Sequence, residues 1–168
     1  MRPSTLALLL CTPLLAQAPA LKADPFEAVR FLGGDWVGES DGKAGSPSGA
    51  ATFRFELEGK ALVRRSHADY PAANGRPAAH HEDLMTVFVE GGQLKAFYVD
   101  NEGHVIRYLA AAVPHGVAFT SEPAPGPRFR LTYLRGTADT VAIRFEIAPP
   151  NAPDVFKTYL EGVTRRVK

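Results

Sequence analysis

The chain is poor in cysteine, tryptophan and methionine, and neither sign of charge dominates it. In 168 residues it has one cysteine, one tryptophan, two methionines and a formal net charge of +1. A balanced charge gives no support for a nucleic-acid partner, because that recognition needs an excess of Lys and Arg. A single cysteine cannot form an internal disulfide, so core burial and strand pairing must supply the stability.

Beyond its N-terminus the chain has no apolar run long enough to cross a bilayer. The first residues combine Arg2, an apolar stretch over 6–15 and small residues over 16–20, which is typical of a secretory signal peptide. We expect cleavage after Ala18 or Ala20, and therefore export to the periplasm or the medium.

The sequence therefore predicts a signal peptide over 1–20 and one domain over 21–168, with no transmembrane span in the mature chain. The only cysteine, Cys11, lies inside the apolar run and follows Leu10. Since a lipid attachment site needs a small residue before the cysteine, we do not expect a lipoprotein.

Helix signals are confined to one short segment at the start of the predicted domain. Asp24 and Pro25 suit the cap and first position of a helix over 23–32, which Gly33 and Gly34 would end. Short runs of alternating apolar and polar residues follow, separated by turn residues. The predicted strands are 35–40, 50–58, 61–70, 82–90, 93–100, 104–111, 117–122, 128–134, 140–147 and 155–167.

About ten short strands without intervening helices predict an all-β fold. Short links between consecutive strands favour an antiparallel up-and-down β-barrel with a short N-terminal helix. Closure of the barrel also removes the exposed strand edges of an open sheet.

Two motifs suggest catalysis or metal binding, but their context does not suit either. The segment 38–42 matches Gly-x-Ser-x-Gly around Ser40, yet a nucleophile elbow needs a strand, a sharp turn and a helix. The segment His80-His81-Glu82-Asp83 offers only two ligands per face of a strand, and zinc sites need three or four. We expect no catalytic residue, no metal site and no obligatory cofactor.

Aromatic and polar side chains on the strands are the candidates for a ligand cavity. The candidate lining residues are Phe53, Phe55, Arg65, His67, Glu82, Phe88, Tyr98, His104, Tyr108, Phe119 and Phe145. The face that carries Tyr98, His104 and Tyr108 either lines a cavity or forms the outer wall. In a small barrel, side chains can also fill the interior completely.

The charged members of this set depend on the orientation of the third strand. Arg65 and His67 share a face with Ala61 and Val63, so all four point to the same side. If that side is the interior, Arg65 needs a buried partner such as Glu82. An outward charged face is the alternative.

The opening Phe31-Leu32-Gly33-Gly34-Asp35-Trp36-Val37-Gly38 resembles the Gly-x-Trp start of the lipocalin-like (calycin) barrels. The mature chain resembles a bacterial secreted family of lipocalin-like domains with no assigned activity, through this start and through Asp100-x-x-Gly103-His104. The resemblance implies a small apolar ligand inside the barrel. It also implies that Trp36 closes one barrel end by a cation–π contact with Arg165 or Arg166.

The same opening is similar to that of the nitrobindin-like haem-binding barrels. Those barrels hold ferric haem through a histidine on the last strand, in a His-Leu context. Here Tyr159-Leu160 stands in that place, and tyrosine can also ligate haem iron. Haem binding with peroxynitrite or NO chemistry is therefore an alternative, with Tyr159 as the ligand.

Three functional hypotheses follow from the sequence. The favoured one is non-catalytic binding of a small hydrophobic or amphipathic molecule by an exported barrel. The alternatives are the haem-binding barrel and a structural or interaction module of the cell envelope. The sequence does not determine the oligomeric state.

Overall fold

The computed structural model describes residues 24–39, 47–73, 75–137 and 139–168. The predicted signal peptide and Ser40 lie outside these residues. The strands are β1 (Gly34–Gly38), β2 (Ser48–Glu56), β3 (Ala61–Tyr70), β4 (Ala79–Glu90), β5 (Gln93–Asp100), β6 (Val105–Val113), β7 (Gly116–Ser121), β8 (Arg128–Arg135), β9 (Thr140–Ala148) and β10 (Lys157–Arg166).

The ten strands form a closed barrel in which each strand pairs antiparallel with its neighbours in sequence. The last strand, β10, pairs with β1 and completes the ring. The all-β, up-and-down architecture predicted from the sequence is therefore confirmed. A 3-10 turn over Leu57–Gly59 links β2 and β3.

The N-terminal helix lies within the predicted segment, but it is a short 3-10 helix over Glu27–Leu32. The Asp24 carboxylate accepts a hydrogen bond from the Phe26 amide at 3.0 Å, which fixes the turn that leads into it. Six residues are too few for an α-helix that is stable by itself. Packing of Val29 and Leu32, both buried, therefore holds this helix in the barrel.

The end of the barrel that this helix covers is called the closed end. Trp36 is buried there and donates a hydrogen bond from Nε1 to the Leu32 carbonyl at 2.7 Å. The Arg166 guanidinium lies 4.3 Å from the centre of the Trp36 ring system and donates to the Phe31 carbonyl at 2.9 Å. Arg165 instead points to the outer surface, where it pairs with Glu39.

Packed aromatic rings fill the middle of the barrel. Tyr98, Tyr108, Phe119, Tyr133 and Phe53 form a chain of edge-to-face contacts with ring centroids 5.8 to 6.4 Å apart. All five side chains are buried. The end of the barrel opposite the closed end, where β3 and β5 finish and β4, β6 and β10 begin, is called the open end.

Candidate functional site

The interior of the open half contains one buried ion pair. Arg64 on β3 and Asp83 on β4 face inward, and the Arg64 Nε lies 3.1 Å from an Asp83 carboxylate oxygen. Arg64 also donates to the Tyr133 hydroxyl. Burial opposes the charge of Arg64, but the Tyr133 oxygen and the Asp83 carboxylate reverse this effect and raise the pKa of the guanidinium above its ordinary value.

Polar side chains extend from this ion pair to the open end along β4, β5 and the turn between β5 and β6. We call His81, Tyr98, Asp100, Glu102 and His104 the polar wall. His81 contacts Glu102 through Nδ1 at 2.9 Å and the Tyr98 hydroxyl through Nε2 at 3.2 Å. The Tyr98 hydroxyl donates to Asp100 at 3.1 Å. The polar wall is therefore one continuous hydrogen-bond network.

Asp100 is the centre of the polar wall. One carboxylate oxygen accepts the backbone amides of Glu102 and His104, and the other contacts the His104 Nδ1 at 2.8 Å. Its side chain is 3% exposed, whereas that of His104 is 53% exposed. Burial alone would raise the pKa of Asp100, but the bonds from His104 and Tyr98 outweigh it and hold this pKa below its ordinary value.

The other side of the open end is apolar. We call Phe129, Phe145, Leu160 and Gly162, on β8, β9 and β10, the apolar wall. The rings of Phe129 and Phe145 stack 5.9 Å apart. Leu160 pairs with Phe145 and Gly162 pairs with Ile143, so both face the interior.

The apolar wall is accessible to solvent although it faces inward. Leu160 is 37% exposed. A Cβ placed on Gly162 would meet no atom within 4 Å, so open space lies in front of this position. Phe129 and Phe145 are half-buried. An inward apolar surface that meets solvent is where a barrel can accept a small ligand.

β1 is shorter than β10, and the two strands pair over a short stretch. The first strand pairs with β10 only at residues 164–166, and the Glu39 amide adds one hydrogen bond to the Val163 carbonyl. Within the described ranges, no strand pairs with residues 157–161 of β10 on that side, and these residues pair with β9 alone.

The structure divides the predicted cavity residues between several places. Tyr98 and His104 belong to the polar wall, and Phe145 belongs to the apolar wall. Phe53, Tyr108 and Phe119 lie in the packed middle of the barrel. Phe55 lies at the closed end, where its ring contacts Phe26 with centroids 6.0 Å apart.

Four predicted residues lie on the outer surface. His67 and Glu82 face each other across β3 and β4, and both are exposed, as is Arg65. Phe88 is half-buried on the same outer side of β4. Arg65 therefore faces outward, and the inward orientation considered for it is not observed. The preceding residue, Arg64, faces inward together with Asp83, because neighbouring side chains on a strand alternate.

The last strand offers no buried ligand for haem iron. From the open end, the inward positions of β10 begin with Leu160, Gly162 and Thr164, none of which has a nitrogen ligand for iron. Tyr159 is the extra residue of a β-bulge and is 73% exposed. Since aromatic rings occupy the middle of the barrel, a macrocycle would have no buried axial ligand on this strand.

The described part of the chain has neither a metal-binding cluster nor a Ser–His or Thr–His pair. No group of three His, Cys, Asp or Glu side chains in it could hold a metal ion. Neither does any serine or threonine hydroxyl described here hydrogen-bond to a histidine. Two shallow depressions lie outside the barrel interior, one beside Phe26 and Lys60 and one between the proline-rich loops beside Arg128.

Comparison with known proteins adds no family assignment. No family model matches the sequence. No curated protein is significantly similar to it. In the described residues there is no helix of the length and apolarity that a membrane span requires.

The sequence did not single out several residues for the cavity: His81, Asp100 and Glu102 of the polar wall, Arg64 and Asp83 below it, and Phe129, Leu160 and Gly162 of the apolar wall. Leu62 and Arg64 lie two residues apart on β3, so they share a face of that strand, and Met85 shares a face with Asp83 on β4 in the same way. Had the orientation of these strands been known, Leu62 and Met85 would have placed Arg64 and Asp83 inside the barrel. No sequence pattern identifies Gly162, because its contribution to the site is the open space that the missing side chain leaves in front of β10.

Proposed function

We propose that the protein is an exported barrel that binds a small hydrophobic or amphipathic molecule at its open end, without catalysis. The observation that carries the proposal is the apolar wall, which faces inward and yet meets solvent. Burial of apolar surface by a ligand contributes roughly 25 cal/mol per Å², which drives association. The signal-like residues at the N-terminus support export.

The exposure of Leu160 supports the same proposal. A ligand that enters through the open end meets Leu160 and Gly162 without opening the strand pairs that close the barrel. The packed middle sets the depth of the site and limits it to a small molecule or to one end of a longer one. The polar wall opposite gives an amphipathic ligand a second surface.

A substitution at Gly162 tests this proposal. Gly162→Phe places a ring in the open space of the apolar wall, where its Cβ meets no neighbour. We expect the affinity for the fluorescent apolar probe N-phenylnaphthylamine to fall by about tenfold or more, since the ring occupies the pocket. The measurement is a fluorescence titration of the purified mature protein.

Val163→Phe is the matched control, because Val163 lies on the outer face of the same strand and is partly exposed. This variant should bind the probe as the wild type does. If the wild type binds no probe, or if both variants bind it equally well, the ligand site is not at the apolar wall. The first of these results would favour an interaction role for the outer surface.

A further inference from the structure

The polar wall has few hydrogen-bond donors left for a ligand. The Tyr98 hydroxyl donates to Asp100. Arg64, below the wall, is 7% exposed and its charge is compensated by Asp83. A carboxylate or phosphate head group would therefore find neither of these donors free.

The His104 ring of the polar wall also directs a proton to a carboxylate. A carboxylate only accepts hydrogen bonds, so the His104 Nδ1 beside Asp100 carries a proton. Both ring nitrogens of His81 are engaged, one by Glu102 and the other by the Tyr98 hydroxyl. In a neutral His104 ring the Nε2 is then an acceptor. The His104 side chain is half-exposed and its Nε2 has no partner among the described residues, so this nitrogen is available to a ligand.

The polar wall is rich in carboxylates. Arg64 compensates Asp83, whereas Asp100 and Glu102 have the histidine partners His104 and His81, which are charged only when protonated. Glu102 is exposed, and only one of its oxygens is bound to His81. The other oxygen is free to accept a hydrogen bond from a ligand.

Aromatic rings lie on both walls of the open end. The Tyr98 hydroxyl contacts His81, whose other ring nitrogen contacts Glu102. Tyr159 makes an edge contact with Phe145 of the apolar wall at 6.1 Å. A carboxylate attracts an organic cation, and aromatic faces within about 6 Å of that cation add to the attraction.

One cation lies on the opposite rim. Lys157 begins β10 beside Ile147 and is exposed. It could attract an anionic head group, so the experiment must include one. Lys157 has no neighbouring Arg or Lys on the inner face of β9 or β10, and it is a single charge opposite the two carboxylates of the polar wall, Asp100 and Glu102.

Building on the proposed ligand-binding function, we propose that the ligand is an amphipathic cation. Its ammonium group donates to Glu102 and to the Nε2 of His104, and its apolar chain or ring lies against Phe145, Leu160 and Gly162. The two walls thus recognise the two ends of one molecule.

The test compares three amphiphiles with the same twelve-carbon chain. Dodecylammonium, laurate and dodecanol displace N-phenylnaphthylamine from the mature protein at pH 7.5, below the concentrations at which micelles form. We expect dodecylammonium to bind about tenfold more tightly than laurate, because the head groups meet a wall of acceptors and negative charge. Dodecanol should lie between them.

Glu102→Gln removes the free carboxylate and should reduce the preference for dodecylammonium by about fivefold, as for a partly exposed ion pair. The matched control is Glu90→Gln, which makes the same change of charge at the closed end, where Glu90 pairs with Lys95. This control should keep the wild-type preference.

The outcomes separate the two proposals. If laurate displaces the probe as strongly as dodecylammonium does, the preference for a cation is wrong, and the proposed ligand site remains. If Glu102→Gln and Glu90→Gln change the preference for dodecylammonium by the same factor, the proposed role of Glu102 is wrong, and the ligand site again remains. Absence of displacement by all three amphiphiles overturns the ligand-binding function itself, and the inference with it.

Discussion

At the scale of single residues, the Arg64–Asp83 pair is the costliest feature of the interior. A buried ion pair is a weak source of stability, because both groups lose their hydration. Here the Tyr133 hydroxyl and the polar wall satisfy much of the hydrogen-bonding capacity that remains. The pair therefore fixes the arrangement of side chains below the open end. Removing one partner should reduce the free energy of unfolding more than removing both.

Arg64→Met leaves Asp83 buried without its cation. We expect this variant to lose about 3–5 kcal/mol of unfolding free energy. The double variant Arg64→Met with Asp83→Leu should recover much of that loss, because no unpaired charge remains. Urea unfolding followed by circular dichroism measures both, and equal losses in the two variants would contradict the account.

At the scale of elements, β10 and the N-terminal helix form one structural unit with β1. The sequence predicted most strand positions, because alternation and turn residues are local signals. It could not predict that β4 begins at Ala79, since pairing with Tyr70 at the end of β3 extends it. Neither could it predict the bulge at Tyr159, which depends on the fit of β10 to β9.

Arg166 connects these elements, and Arg165 beside it does not. Arg166→Ala removes the hydrogen bonds to the Gly33 and Phe31 carbonyls and the contact with Trp36, and we expect a loss of about 1–3 kcal/mol. Arg165→Ala removes an exposed ion pair with Glu39 and should cost less than about 1 kcal/mol. Thermal and urea unfolding of the two variants provide the comparison.

At the scale of the whole molecule, the barrel relies on core packing and ring closure. The architecture could be predicted because about ten short strands have few alternatives to a barrel. The candidate site could be predicted only in part, because the register of each strand decides which side chains face inward. On β3 a difference of one residue decides whether Arg64 or Arg65 lies inside the barrel. Solvent access to the apolar wall depends on the arrangement of the strands around the ring, which no local pattern encodes.

Acid should destabilise the whole molecule through its carboxylates. The Arg130 side chain holds the pKa of Glu146 below its ordinary value, and Asp100 is lowered as described above. Both groups therefore stabilise the fold above their unfolded pKa of about 4, and this stability is lost as pH falls through the folded pKa values. Unfolding free energies at pH 7, 5 and 3 should decrease in that order.

The control for this pH dependence is a double variant in which both carboxylates are replaced by isosteric amides. Asp100→Asn with Glu146→Gln removes both titrating groups, so the difference in stability between pH 5 and pH 3 should become smaller than in the wild type. A difference of the wild-type size would show that other carboxylates cause the acid effect.

The short pairing between β1 and β10 has one more consequence, which concerns association between copies of the chain. Among the described residues, 157–161 pair with β9 alone, and an unpaired strand edge can template a strand from another molecule. Lys157 and Glu161 place opposite charges along this edge, and the bulge at Tyr159 disturbs its spacing. Charges and a bulge are features by which natural sheets discourage edge pairing, so this edge of β10 is poorly suited to pair with a second copy of the chain.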